Sequence, residues 1–348
     1  MNPNKMLVIA CSLLAVAVIT GAQSTGPNTA QRAGPGAAQS AGSGVAQSAA
    51  PASTKEKPLR TLRVESNMVL VEATVKDKSG KLIDKLTADD FLVTDDHFRQ
   101  TVTYFGQDEL PLAVALVVDV SESIVPYFDQ LTDSLGRVLP TLKAEDKVAL
   151  FTFSNVVVKR ADLTADKSTI AERLGGLTVG GSTNLNDALY EAARYLDERA
   201  PAMRRVIVLV SDNVPSQEGQ YSPKEVENEI VKAEAAVYGL KIPGENSAGV
   251  QQYIEQSQGR LVNLAKIAPR TGGEIVDVSK EVSLEQAFSA IVRLVKVRYT
   301  LGYEPMGHPL QDGKYHRVET ELAPGRCKGC RVEAKLGYFG ARPAQANK

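Results

Sequence analysis

Short apolar runs alternate with amphipathic stretches through the middle of the chain, from Pro111 to Arg298. Consecutive Val, Ile, Leu and Ala residues are typical of buried strands, and apolar residues spaced three and four apart are typical of helices. Strands are predicted at Leu112–Val118, Val148–Phe153, Val206–Val210, Ala236–Leu240 and Glu274–Val278, with a further antiparallel edge strand at Asn155–Lys159. Helices are predicted at Tyr127–Leu139, Leu185–Leu196, Pro223–Ala235, Gly259–Ala268 and Leu284–Val297. This alternation predicts an α/β fold with a doubly wound, mostly parallel sheet over residues 111–298.

Strand patterns without helices flank this segment on both sides. Residues 58–110 contain the alternating run Val69–Val75 and further β-branched runs separated by turn residues. Residues 299–341 show the same character, with turns at Asp312-Gly313 and Pro324-Gly325. Neither piece is large enough to fold alone, so we predict that the two pack together as one small β-rich domain.

The first residues have the pattern of an export signal. Lys5 precedes the apolar run Met6–Thr20, which is shorter than a membrane-spanning helix, and residues 1–24 are predicted as a signal peptide. Lipidation at Cys11, after Val8-Ile9-Ala10, and an uncleaved anchor are the alternatives. Residues 25–57, rich in Ala, Gly, Ser and Gln, are predicted as a disordered linker. We therefore expect a periplasmic, envelope-associated or secreted protein, attached to a membrane only through its N-terminus if at all.

The charge balance gives no support for nucleic-acid binding, and the cysteine content bears on the disulfide or metal chemistry of the chain. The 348 residues include 40 basic and 41 acidic residues, which gives no basic face for nucleic acid. Besides Cys11 the chain has only Cys327 and Cys330, and a structural disulfide is the favoured prediction for an exported protein. A redox pair, or a zinc site completed by His308 and His316, is the alternative.

Three polar segments follow strand-like runs at distant points of the chain. They are Asp119-Val120-Ser121-Glu122-Ser123, Gly181-Ser182-Thr183-Asn184 and Ser211-Asp212-Asn213. If the strands lie side by side, these segments meet at the carboxyl edge of the sheet, where open α/β sheets bind their ligands. The segments offer carboxylates and hydroxyls but neither His nor Cys. This donor set suits a hard cation such as Mg²⁺.

Each of these residues also has an ordinary structural alternative. Ser and Asp are common in turns and at helix N-caps, Thr183 is placed to cap the helix from Leu185, and Asp212 is placed to begin a loop. Glu122 is interpreted as a solvated loop residue and Asp187 as a first-turn helix charge. The complete donor set, in the right order at strand ends, favours a metal site over these alternatives.

Catalytic interpretations find little support in the sequence. The glycine pairs at Gly175 and Gly180 are not followed by Gly-Lys-Ser or Gly-Lys-Thr, so a phosphate loop is not predicted. A serine nucleophile needs a histidine base, and His97, His308 and His316 all lie outside the α/β segment. We therefore expect neither enzymatic activity nor a small-molecule substrate.

The five donors resemble a known motif. Asp119-x-Ser121-x-Ser123, Thr183 and Asp212 look like the metal-ion-dependent adhesion site (MIDAS) of von Willebrand factor type A domains. The resemblance implies that the three hydroxyls bind the cation and that the two carboxylates act directly or through water. It also implies Mg²⁺, or Mn²⁺ or Ca²⁺, as the cation, and an acidic side chain of a protein partner as a further ligand.

The sequence on either side of the motif also resembles that family. Asp146–Phe153 and Val206–Asp212 are similar to strands of that family, although Asn213 replaces the glycine that usually follows the last aspartate. The flanking segments Val71–Gly80 and Lys335–Phe339 resemble exported von Willebrand factor A-related proteins common in Acidobacteria. We therefore predict a cation-dependent, adhesion-type protein-binding module. The alternative is a structural or assembly factor of the cell envelope in which the metal only stabilises the fold.

Overall fold

The computed structural model describes residues 68–107, 110–244, 252–253 and 255–341. These residues belong to one compact unit, Arg63–Lys348. The predicted signal peptide with Cys11, the predicted linker at 25–57 and residues 58–67 of the predicted β-rich domain lie outside the described residues. Within the described part, no helix has the length and apolar character needed to cross a membrane.

Strands and helices of the described residues are numbered in chain order. The strands are β1 (Val69–Lys76), β2 (Phe91–Asp95), β3 (Phe98–Gln100), β4 (Tyr104–Gln107), β5 (Leu112–Asp119), β6 (Lys147–Phe153), β7 (Val157–Thr164), β8 (Arg204–Ser211), β9 (Ala236–Lys241), β10 (Ile275–Asp277), β11 (Tyr299–Tyr303), β12 (Tyr315–Leu322), β13 (Arg331–Ala334) and β14 (Gly337–Phe339). The α-helices are α1 (Phe128–Val138), α2 (Lys167–Leu174), α3 (Leu185–Arg199), α4 (Pro223–Lys232), α5 (Leu264–Arg270) and α6 (Leu284–Lys296).

A six-stranded sheet with the order β10-β9-β8-β5-β6-β7 forms the centre of the α/β domain. Its strands are parallel except β7, which pairs antiparallel with β6 at the edge. The predicted α/β fold class is confirmed. The predicted edge strand also forms, and it runs longer than expected, from Val157 to Thr164.

Helices cover both faces of this sheet. Helices α1, α2 and α6 pack against alternate residues of β5 such as Leu116 and Val118, and helices α3, α4 and α5 pack against the residues between them, such as Ala115 and Val117. All eight residues of β5 are buried as a result. This is why the strand has a continuous apolar sequence and not an alternating one.

Two helices differ from the sequence prediction. The helix predicted at Gly259–Ala268 begins only at Leu264, because Gly259 has a φ of +80° and Asn263 caps the helix by accepting a hydrogen bond from the Lys266 N–H. Helix α2 was not predicted. It is a short helix capped by the Asp166 side chain, which accepts a hydrogen bond from the Ser168 N–H.

Residues from both ends of the unit form two small antiparallel sheets, as the sequence predicts. One sheet has the order β13-β1-β11-β4 and the other the order β14-β12-β2-β3. In the first, β1 pairs with β11 in the register that places Val71 opposite Leu301. The rings of Phe91 and Tyr299, 5.2 Å apart, pack in the apolar cluster of these sheets. The small β-rich domain thus depends on pairing between distant parts of the chain.

A buried ion-pair network joins β1 to the α/β domain. The Glu72 carboxylate accepts hydrogen bonds from Arg204 Nε at 2.6 Å and from Arg298 Nη1 at 2.9 Å. Arg298 also donates from Nη2 to the Gly272 carbonyl oxygen at 2.6 Å. The two arginine side chains are only 2% and 1% exposed, so the network depends on Glu72 to balance their charge.

Candidate metal centre at the carboxyl edge of the sheet

The chain leaves β5 towards β6 on one side and later returns to β8 on the other side of β5. The carboxyl end of β5 is therefore a switch point, the usual ligand position of an open α/β sheet. Asp119 is the last residue of β5, and Asp212 follows directly after Ser211, the last residue of β8. The topology alone thus places two predicted ligands at the same edge.

Backbone hydrogen bonds bring the Thr183 loop to this edge. The Gly180 N–H donates to the Val120 carbonyl oxygen at 2.7 Å, and the Glu122 N–H donates to the Gly181 carbonyl oxygen at 3.2 Å. On the other side, the Thr183 N–H donates to Ser216 Oγ at 2.8 Å, just beyond Asp212. The three predicted polar segments therefore meet, although they are far apart in sequence.

The Asp119 carboxylate is buried and hydrogen-bonded on both oxygens. Oδ1 accepts from the Ser121 N–H at 2.8 Å, and Oδ2 accepts from the Ser211 hydroxyl at 2.6 Å. Burial raises the pKa of Asp119 to about 6, and the Asp212 carboxylate adds to this rise, although hydrogen bonds from Ser121 and Ser211 oppose it. The negative charge of ionised Asp119 is thus only partly compensated by its hydrogen bonds inside the protein.

The donor set fits a hard divalent cation. Asp119 and Asp212, 0% and 3% exposed, place two interacting carboxylates under the surface. The Ser121 and Ser123 hydroxyl oxygens are 3.2 Å apart and add neutral oxygen donors. A cation between these groups would supply the charge compensation that buried carboxylates require. The oxygen-only chemistry suits Mg²⁺ better than a softer metal.

Helix capping was the alternative role for the Ser121 and Thr183 hydroxyls, and neither hydroxyl fills it. Ser121 precedes the 3-10 helix Glu122–Tyr127, but among the described residues its side chain makes no capping hydrogen bond. Helix α3 is capped by Asn184, whose side chain accepts a hydrogen bond from the Asp187 N–H at 3.3 Å. Because Asn184 is the cap, the position of Thr183 is not explained by capping.

Several side chains support the predicted donors through hydrogen bonds that the sequence does not predict. Ser211 donates to Asp119, Ser216 receives the Thr183 N–H, and the Asp187 carboxylate accepts from Asn184 Nδ2 at 2.8 Å. Asp187 lies in the first turn of α3, as predicted. The sequence signal for Ser211 was its place beside Asp212, but neither its partner nor that of Ser216 follows from local spacing.

Asn213 and Glu122 complete the surroundings of the site. Asn213 has a φ of +59°, which asparagine tolerates better than most residues, so its backbone suits the position of the usual glycine in the resembled motif. Its side-chain Oδ1 and Nδ2 are buried and make no hydrogen bond among the described residues. Glu122 is exposed, as expected for a solvated residue, but it begins the 3-10 helix Glu122–Tyr127 and does not lie in a loop.

Cys327 and Cys330 are joined by a disulfide in the turn between β12 and β13. Their sulfur atoms are therefore bonded to each other and do not serve as metal ligands with histidine. His308 and His316 instead lie beside Asp95 and Asp96 in the β-rich part of the unit.

Comparison with known proteins agrees with the fold. Residues 114–215 match the family model of the von Willebrand factor type A domain. No curated protein matches the chain.

Solved structures similar to this chain come from distant sources. An aerotolerance-related membrane protein of Bacteroides fragilis is 17% identical over 53% of this chain and 98% of its own, with a TM-score of 0.41. Proximal thread matrix protein 1 of the mussel byssus, with a zinc-occupied MIDAS motif, is 17% identical over 58% and 50%, with a TM-score of 0.44. Manganese-loaded TRAP protein of Plasmodium vivax is 15% identical over 73% and 100%, with a TM-score of 0.37.

The family match covers β5, the Thr183 loop and β8, which are the elements that supply the five predicted donors. Residues 114–215 therefore match a von Willebrand factor type A domain, and the six-stranded sheet with its two helical layers agrees with that fold.

Proposed function

We propose that the chain is a cation-dependent protein-binding module of the adhesion type. Its cation, Mg²⁺ or else Mn²⁺ or Ca²⁺, is held by the five oxygen-donor residues at the carboxyl edge of the sheet, which are Asp119, Ser121, Ser123, Thr183 and Asp212. The observation that carries the proposal is the buried carboxylate pair of Asp119 and Asp212, whose charge a divalent cation would balance.

The ligand chemistry explains why such a site would bind a partner. Three of the five residues contribute neutral hydroxyls, and the resemblance implies that the two carboxylates can act through water, so few anionic oxygens would contact the cation directly. Mg²⁺ takes six ligands and exchanges waters at the positions that the protein leaves open. A carboxylate from a partner protein is the natural ligand for such a position, because it places an anionic oxygen directly on the cation.

The site is accessible to a partner from one side. Ser123 is half-buried, and Glu122 and Gly181, on the two neighbouring loops, are exposed. Asp119 and Ser121 lie beneath them and are fully buried. In this arrangement Ser123 is the more exposed of the two serines, while the buried Asp119 carboxylate orients Ser121 through its backbone N–H.

We also propose that the module is not an enzyme. The histidines that a serine nucleophile would need all lie in the β-rich part of the unit, in the turn after β2, in the loop after β11 and in β12. A broad hydrolase screen with and without Mg²⁺ tests this point. Reproducible turnover that depends on Mg²⁺ and is lost in Asp119→Ala would overturn it.

Export is part of the proposal. The apolar run Met6–Thr20 after Lys5 supports it, as does the Cys327–Cys330 disulfide, since such bonds persist in oxidising compartments. The resemblance of the flanking segments to exported proteins points the same way. Cell fractionation combined with N-terminal sequencing of the mature chain tests this location, and a full-length cytoplasmic product would contradict it.

A paramagnetic cation allows a direct test of partner-carboxylate binding. The chain is loaded with Mn²⁺, and water-proton relaxation is followed while a short aspartate-containing peptide is added. We expect the enhancement to fall as the carboxylate displaces bound water, whereas the matched asparagine peptide leaves it unchanged. An enhancement that neither peptide alters, with a melting temperature that Mn²⁺ raises, would favour the alternative in which the metal only stabilises the fold.

A further inference from the structure

A second cluster of metal-ligating side chains lies in the sheet β14-β12-β2-β3. Asp95 ends β2, Asp96 follows it in the turn to β3, His308 lies in the loop after β11, and His316 lies in β12. One ligand atom from each of these four residues lies within 4.8 Å of all the others. No residue of the proposed adhesion site belongs to this sheet, so the two clusters are separate.

The Asp95 carboxylate is oriented by two tyrosines and left with one unsatisfied oxygen. Oδ2 accepts hydrogen bonds from the hydroxyls of Tyr303 at 2.9 Å and Tyr338 at 2.8 Å. Oδ1 is buried and, among the described residues, makes no hydrogen bond, although His308 Nε2 lies 3.1 Å away. Asp95 is 0% exposed, and an unsatisfied buried carboxylate oxygen is costly. This oxygen is aimed into the cluster.

Both imidazole rings turn one nitrogen towards the cluster. His316 Nε2 lies 3.1 Å from Asp312 Oδ1, which leaves Nδ1 facing Asp96 Oδ2 at 2.8 Å. His308 Nδ1 lies 3.5 Å from the Pro309 carbonyl oxygen, which leaves Nε2 facing Asp95. An acceptor behind each ring is the arrangement that fixes the tautomer of a metal-binding histidine.

We propose that Asp95, Asp96, His308 and His316 form a site for a divalent transition-metal ion, Zn²⁺ above all. Two imidazole nitrogens and two carboxylate oxygens are a borderline donor set, which Mg²⁺ and Ca²⁺ do not prefer. The nitrogen–oxygen separations of 2.8 and 3.1 Å are close to the ligand–ligand distance of about 3.3 Å in a tetrahedral zinc site. With four protein ligands, such a site is closed and structural.

Binding requires one ring to move. The two imidazoles are stacked with centroids 3.8 Å apart and planes 10° apart, so a single ion cannot lie in the plane of both rings. His316 is 3% exposed and lies in β12, an inner strand of the sheet, whereas His308 lies in the loop between β11 and β12. His308 is therefore the residue that tilts when the ion binds.

The ion would join three separate parts of the β-rich domain. Asp95 and Asp96 come from the β2–β3 turn, His308 comes from the loop after β11, and His316 comes from β12, which pairs with both β2 and β14. A closed site here would stabilise the sheet independently of the cation at the adhesion site. Asp312, which accepts from His316, acts as a positioning residue.

Zinc titration of the full chain tests the proposal. The Asp119→Ala substitution is introduced first, so that zinc at the adhesion site does not contribute, and binding is followed by calorimetry and by metal analysis after dialysis. We expect one Zn²⁺ per chain. In this background His308→Asn should weaken the affinity by at least about 100-fold, because it removes one of four ligands. The matched control is His97→Asn at the neighbouring exposed histidine, which should leave the affinity unchanged.

Two results would overturn the proposal. One is an Asp119→Ala chain that binds no Zn²⁺, and the other is a folded His308→Asn chain that binds Zn²⁺ as tightly as the His97→Asn control.

A second readout needs no substitution in the cluster: Co²⁺ bound to the Asp119→Ala chain should show the intense visible absorption of four-coordinate cobalt. The weak absorption of six-coordinate cobalt would contradict the assignment. Mg²⁺ affinity of the His308→Asn chain, with Asp119 intact, separates failure here from failure of the adhesion site.

Discussion

At the scale of single residues, the question is whether the Thr183 hydroxyl binds the cation or Thr183 is only a loop residue. Thr183 is 3% exposed and does not cap α3. We expect Thr183→Val, which keeps the shape but removes the hydroxyl, to weaken Mg²⁺ binding by roughly 10- to 100-fold, whereas Thr183→Ser should retain most of the affinity. Calorimetric titration of both variants with Mg²⁺ measures the difference. Equal affinities for the valine and serine variants would show that the hydroxyl is not a ligand.

The cluster around the Asp95 carboxylate could not be predicted from the sequence. The sequence predicts a turn at Asp95-Asp96, but Asp95 is the last residue of β2 and only Asp96 lies in the turn, and the sequence suggests His308 and His316 only as neighbours of the cysteine pair. Their common cluster depends on antiparallel pairing, which places Val318 of β12 opposite Asp95. No local spacing in the sequence reveals such a contact, so the cluster becomes visible only in the folded chain.

At the scale of elements, the loop before α3 should be sensitive to a single methyl group. Gly181 has a φ of +92°, which L-residues rarely adopt, and a Cβ at this position would clash with the Asn155 side chain. Asn155 Oδ1 accepts the Ser182 N–H at 2.6 Å and so helps to hold the loop.

We therefore expect Gly181→Ala to displace the Thr183 loop and to weaken Mg²⁺ binding at least about 10-fold, with a destabilisation of about 1–3 kcal/mol. Gly176→Ala is the matched control, because its added Cβ would meet nothing within 4 Å. Mg²⁺ titration and urea unfolding of both variants provide the measurements. Unchanged Mg²⁺ affinity in Gly181→Ala would mean that the position of this loop does not matter for the site.

The strands, and the meeting of the polar segments at one edge of the sheet, could be predicted from sequence for a common physical reason. Leu112–Val118 and Val206–Val210 are continuous apolar runs because helices cover both faces of the sheet, and parallel strands deliver their following residues to one edge. Asp119 and Asp212 were placed by this logic alone. Helix α2 has only eight residues, and only Ile170 and Leu174 are buried, so its periodic signal was too short to detect.

At the scale of the whole molecule, the Glu72 network should link stability to pH. Burial alone would raise the pKa of Glu72, but the guanidinium groups of Arg204 and Arg298 bring it below its ordinary value. Because the folded-state pKa lies below the unfolded value of about 4.3, the stabilisation is complete above that pH and is lost as the pH falls towards the folded-state pKa.

We expect Glu72→Gln to lower the free energy of unfolding at neutral pH by about 2–4 kcal/mol, since two buried arginines lose their counter-charge. The variant should also show a shallower loss of stability below about pH 4. Urea unfolding across a pH series measures both effects, with the exposed Glu145→Gln as control. A Glu72→Gln chain with the pH profile of the control would show that the network does not contribute to acid sensitivity.

Cation binding at the carboxyl edge of the sheet is the central claim, and calorimetric titration of Mg²⁺ tests it most directly. The unsubstituted chain is compared with Asp119→Ala and with Glu122→Gln, which removes an exposed neighbouring carboxylate. We predict one saturable Mg²⁺ site in the unsubstituted and Glu122→Gln chains and its loss in Asp119→Ala. Equal Mg²⁺ binding in all three chains, or none in any of them, would contradict the account.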